Sequence, residues 1–109
     1  MRSWILLAST FFVYPAYTAN VTHTATVKSV RQLADGRFVL QFDTDHLSCL
    51  NTSSPKFYYL GAGFNGMTAE AAKNAYALAL MAYALEQRLQ IAFDDTSSGC
   101  YINSVLLLK

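Results

Sequence analysis

At 100° per residue, the alanine-rich segment Thr68–Arg88 is apolar on two opposite sides, which constrains the chain more than any other stretch. Ala71, Ala75, Leu78, Met81, Ala82, Leu85 and Leu89 form one stripe, and Ala72, Tyr76, Leu80 and Tyr83 lie nearly opposite. A helix laid on one small domain needs only the first stripe. The second, with Tyr76, Leu80 and Tyr83 as its interface residues, is expected to meet sister copies, because large exposed apolar patches mark interaction sites. The competing reading puts a sheet or loop of the same chain over them, but a small domain has little structure to spare.

The first 19 residues stand apart. Met1-Arg2-Ser3 is short and positive, Trp4–Val13 is apolar, and Tyr14–Ala19 combines a proline with small residues. This is the anatomy of a signal peptide spanning 1–19, with cleavage after Ala19. The apolar run is too short for a membrane span, which needs about 20 residues, so a retained anchor is the weaker reading. The expectation is a single domain over residues 20–109, secreted or periplasmic.

With Arg2 set aside, seven Lys/Arg balance seven Asp/Glu, and no basic stripe marks a nucleic-acid surface. Both cysteines, Cys49 and Cys100, fall in the exported part, where one disulfide is the default.

Ala25–Leu33 reads as a strand whose apolar phase shifts between Val27 and Val30, the mark of a bulge or sharp bend. Asp35-Gly36 is a hairpin turn, and Arg37–Asp43 follows with Phe38, Leu40 and Phe42 on one face and Val39 and Gln41 on the other. Lys56–Phe64 is a third strand, dense in aromatics, in which Gly61-Ala62-Gly63 implies a bend or a close backbone approach. Thr68 is placed to cap the helix, with Glu70 in its first turn. Leu89–Phe93 and Cys100–Leu108 complete the set. Three strands, one long helix and two strands is the order of a five-stranded OB-type barrel, a mainly β fold. The alternative is an open α+β sheet with the helix on one face.

Two stretches, Ala75–Leu80 running on through Glu86–Phe93, and Gly99–Leu107, make the chain resemble the B subunits of bacterial AB-type toxins. Subtilase cytotoxin and typhoid toxin subunits, and related small exported proteobacterial proteins, are nearest in pattern. The resemblance covers most of the mature chain by element order and about thirty residues by pattern. It implies an OB fold, a ring of five with the long helix lining a channel, glycan binding on the barrel, and a catalytic A-type subunit as a further partner. It also implies a Cys49–Cys100 disulfide. By pattern the glycan pocket falls on Thr24, which keeps the expected hydroxyl, and on Phe93, where a tyrosine is expected.

The remaining signals carry less. Phe57, Tyr58, Tyr59 and Phe64 could form a sugar-stacking platform, though such rings more often fill a barrel. Asp43, Asp45, His46, Asp94 and Asp95 meet no calcium-site spacing, and acidic residues are ordinary turn formers. His46 with Cys49 would need a free thiol to act as base and nucleophile. Asn20-Val21-Thr22 and Asn51-Thr52-Ser53 match glycosylation acceptors. The sequence therefore points to a non-enzymatic binding subunit without metal or cofactor, its ligand a glycan and its state a homo-oligomer. The alternative is a periplasmic protein-interaction or inhibitor module without a sugar ligand.

Overall fold

The structure is a computed structural model and describes residues 20–109; the signal peptide expected at 1–19 lies outside them. Five antiparallel strands and one helix follow the expected order: β1 (Asn20–Gln32), β2 (Phe38–Phe42), β3 (Tyr58–Leu60), α1 (Ala69–Leu85), β4 (Arg88–Asp94) and β5 (Ile102–Leu107). Across the sheet they run β3-β2-β1-β4-β5.

The long first strand organises this arrangement. Asn20–Thr26 pairs with β4, and Val27–Gln32 pairs with β2. Between Val27 and Ser29 the register with β2 shifts, where the sequence anticipates a bulge. An extra residue there bends the strand, so one segment serves two halves of a curling sheet. The sheet does not close into a hydrogen-bonded barrel: β3 and β5 are its ends, and Tyr59 N–H reaches the Gly99 carbonyl (3.3 Å) across the gap. Alternation sends Val27, Leu40, Phe42, Tyr58, Leu60, Leu89, Ile91, Phe93 and Ile102 inward as one core.

β3 is shorter than the apolar run suggests. A cis Ser54–Pro55 bond precedes it. After Leu60 the chain folds through two turns, with Phe64 N–H on Gly61 O (3.2 Å) and Met67 N–H on Phe64 O (3.1 Å). β1 is longer than expected at its start, because Asn20–Thr24 is recruited by pairing with β4 despite its polar composition.

Thr68 caps α1 as expected, its hydroxyl accepting the Ala71 N–H at 3.0 Å. The helix stops at Leu85, earlier than its composition suggests, because Glu86 turns left-handed (φ 55°) and Arg88 already belongs to β4. The buried face corrects the expected stripe. It is Ala72, Ala75, Ala79 and Ala82, a seam of methyl groups between the two predicted stripes. Small side chains let the helix approach the sheet closely, and the bulky residues are displaced to its flanks. Met81 and Leu85, assigned inward from the sequence, are 49% and 57% exposed. Among the described residues no helix is long and apolar enough to cross a membrane.

Candidate functional site

The two residues singled out for a glycan pocket do not meet. In the β1–β4 ladder Thr24 pairs with Gln90 and Val21 with Phe93. Alternation therefore puts Thr24 on the outer face and Phe93 on the core face. Phe93 is fully buried, edge-on to Tyr58 at 5.3 Å and to His46 at 5.4 Å, so it offers no surface to a ligand.

A different constellation does face solvent. Leu33 N–H to Arg37 O (2.8 Å) closes the Asp35-Gly36 turn, where Gly36 takes φ +93°, and Arg37 stands at its exit. Asp35 accepts the Arg37 backbone N–H (3.1 Å) on one oxygen and Nε–H (2.9 Å) on the other. That backbone bond, followed by the guanidinium, holds the Asp35 carboxyl below its usual value. Burial pulls the Arg37 value down, but the bonds to Asp35 and Tyr101 outweigh it and leave it raised.

The guanidinium lies 4.9 Å from the Tyr59 ring centre and 5.9 Å from that of Phe64, within cation–π range. One Nη–H donates to the Tyr101 hydroxyl at 3.2 Å. Phe64 stacks on Tyr101, with centroids 4.4 Å apart and planes 7° from parallel. Two glycines make room for this stack. A Cβ on Gly61 would come within 2.9 Å of both Arg37 and Phe64, and one on Gly99 would collide with the Tyr101 ring. Of the bend or close approach expected at Gly61-Ala62-Gly63, the close approach is at Gly61 and serves this cluster, while Gly63 supplies a positive φ of 84°.

Arg37 is the shared wall of two clefts. One, of about 610 Å³, is lined by Phe38 and Phe64 with Gln32, Asp35 and Lys73 at its edges. The other, of about 460 Å³, is lined by Tyr59 and Tyr101 with Asn51, Ser97 and Ser98. Flat rings beside amide, hydroxyl and guanidinium groups suit a polyhydroxylated ligand, which offers apolar C–H faces and many hydrogen-bonding edges. The four aromatics of the third-strand region thus divide. Tyr58 fills the core, Tyr59 and Phe64 line the clefts, and Phe57 lines neither but lies beneath the Arg31 guanidinium at 5.7 Å.

The smaller cleft is walled by the loop between β2 and β3. Its Cys49 is joined to Cys100 with Cα atoms 5.6 Å apart, forming the expected disulfide, and such a bond fits an oxidising compartment. Asn51 Nδ2 donates to Phe57 O (2.8 Å) and Ser98 O (3.0 Å), while its Oδ1 accepts the Phe57 N–H (3.2 Å). With both amide hydrogens engaged, Asn51 is not presented as a free acceptor for glycosylation in the folded chain. The nearby carboxylates bond backbone amides: Asp43 accepts that of Thr26 across the sheet, Asp45 that of Lys56 within the loop, and Asp94 that of Thr96 in its turn. The Cys49 sulfur is tied up in the disulfide and is no nucleophile.

Of the interface candidates, Leu80 and Tyr83 are 40% and 46% exposed on one flank of α1. Tyr76 is only half-buried by its own chain, but its ring lies flat against Phe38, so it acts first as an intrachain contact.

Arg37, Ser97 and Tyr101 were not singled out from the sequence, and Asn51 only as a glycosylation acceptor. Arg37 and Tyr101 are 64 residues apart and share no motif, although pairing Cys100 with Cys49 would have brought Tyr101 near the second loop.

No family model and no curated protein matches the chain by sequence. Solved structures do match by shape. Human heat-labile enterotoxin in complex with a blood group A antigen analogue superposes with a TM-score of 0.62 at 10% identity, covering 85% of this chain and 89% of that one. The porcine E. coli heat-labile enterotoxin B-pentamer in complex with lacto-N-neohexaose gives 0.61 at 9% identity, with the same coverage. The cholera toxin-like B subunit from Citrobacter freundii gives 0.59 at 7% identity, covering 80% and 86%. The fold of this chain is the OB-like fold of toxin B subunits.

Proposed function

We propose that this chain is an exported, non-enzymatic glycan-binding subunit that works as a homo-oligomer, a ring of five being the expected form. The observation that carries the reading is the Arg37–Tyr59–Phe64–Tyr101 cluster, where stacked rings and a partly free guanidinium separate two clefts. Its support from shape is that proteins of the same fold have been solved with lacto-N-neohexaose and as a B-pentamer. Carbohydrate rings would stack on Phe64 and Tyr101, and their hydroxyls would accept from the part of the Arg37 guanidinium that Asp35 and Tyr101 leave free. A catalytic partner subunit of the A type belongs to the same reading.

The purified protein, applied to a glycan array and weighed by native mass spectrometry, tests both halves. Expected is retention of a defined set of glycans by an oligomer, with retention lost in a folded Phe64→Ala variant. A monomer that retains no sugar would overturn the proposal. If it instead captured one protein from the producing cell, the interaction-module reading would take its place.

A further inference from the structure

We infer that the larger cleft is a second binding site, for an amphiphile that joins an apolar body to a single anionic head. The cleft lies between the β1–β2 turn and the first turns of α1, and its volume of about 610 Å³ is that of a small-molecule site. Its apolar lining divides by exposure. Phe38 and Ala72 are buried and make a floor, while Ala62, Phe64 and Ala69 are exposed and stand around it. The Tyr76 ring stacked on Phe38 holds that floor in place. None of these five side chains carries a hydrogen-bonding group. A polyol pressed to the floor would leave hydroxyls unpaired, whereas a hydrocarbon body loses nothing there. Phe64 is common to this site and to the glycan reading, but the floor belongs to this site alone, which stands whether or not a sugar binds beside it.

The head follows from the charges at the edge. Two cations and one carboxylate line the cleft. Asp35 and Arg37 are paired at 2.9 Å, and one Arg37 Nη–H goes to Tyr101. Lys73 on α1 is exposed and has no carboxylate partner among the described residues. Glu70, the acidic residue of the first helical turn, does not line the cleft. The edge therefore keeps one net positive charge at Lys73, next to a dry floor. A carboxylate at that ammonium would lay its hydrocarbon body along Ala69, Ala72 and Phe38.

Octanoate, kept below its micelle concentration, is the probe. Titration calorimetry and amide chemical shifts of the full protein read its binding with no sugar present, so a failed glycan array would leave the outcome untouched. Expected is saturation at one octanoate per chain, with shifts at Gly36, Ala69 and Lys73 and none at Ser98 and Gly99 of the smaller cleft. Acetate, the head alone, should not saturate. Octylammonium, with the same body and the opposite head, should bind about tenfold more weakly. Lys73→Gln should weaken octanoate about threefold, the scale of one exposed ion pair, without weakening octylammonium. Ala69→Asp places a carboxylate where a helix N-terminus welcomes one, so the circular dichroism spectrum should hold while octanoate binding falls about tenfold or more. Binding that never saturates, shifts centred on the smaller cleft, equal affinity for the two heads, or unchanged octanoate binding in folded Ala69→Asp would overturn the inference.

Discussion

Tyr76 lies flat on Phe38, ring centroids 4.0 Å apart and planes 11° from parallel, and so fastens α1 to β2. A residue that looks like an outward contact on a helical wheel is a clasp within the chain. Truncating a large aromatic in such a contact costs about 3 kcal/mol when it is fully buried, and less at a half-buried site. Tyr76→Ala is therefore expected to lower the thermal midpoint by several degrees, as read by calorimetry, whatever the assembly state. An unchanged midpoint would mean that the stack contributes nothing.

Leu80 and Tyr83 behave differently because solvent already reaches them. Leu80→Lys with Tyr83→Lys should leave the circular dichroism spectrum intact and reduce the sedimenting mass to that of a monomer. A stable oligomer in this double variant would move the interface elsewhere.

Arg37 joins two clefts, and its planar fork is what bridges Asp35 and Tyr101. Lysine would keep the charge but not the fork. Arg37→Lys should weaken glycan retention about tenfold or more, an order consistent with losing one charge-assisted hydrogen bond, measured by titration calorimetry with any glycan the array identifies. Equal affinity would show that only the charge is needed.

Tyr58 carries a pH signature. Burial pushes its phenol up, so the fold favours the neutral form. Its contribution to stability is whole below the ordinary tyrosine value near pH 10 and is lost as pH rises through the raised one. Tyr58→Phe should cost about 1 kcal/mol at pH 7, because the His46 amide loses its acceptor, and should make stability less steep above pH 10. Denaturant titrations at pH 7 and pH 10.5 read both effects.

The disulfide closes a separation of 51 residues. Loop entropy puts its worth at about 4 kcal/mol, an upper figure. Cys49→Ala with Cys100→Ala should lower the unfolding midpoint in urea markedly. A shift under about 1 kcal/mol would show that the loops are held by Asn51 and its neighbours alone.

Much of the fold was legible because it rests on local rules. Alternation placed β2 and β4, the phase slip marked the β1 bulge, and Thr68 announced the helix. The inward face of α1 was misread because hydrophobicity was weighed and size was not, and alanine is what a close approach demands. The site was largely illegible. Thr24 and Phe93 were assigned by likeness of pattern, and the pleat puts them on opposite faces. The Arg37 cluster joins residues from a turn, a strand and two loops, and no spacing along the chain records that meeting.

The alanine seam beneath α1 bears on how the domain can change over time. A leucine at Ala79 would have nowhere to go without prising the rod off the strands, so drift at those four seats is confined to the smallest residues. The outward flanks carry no such restraint. A lineage of such chains could therefore rewrite what its helix greets while the scaffold underneath stays the same.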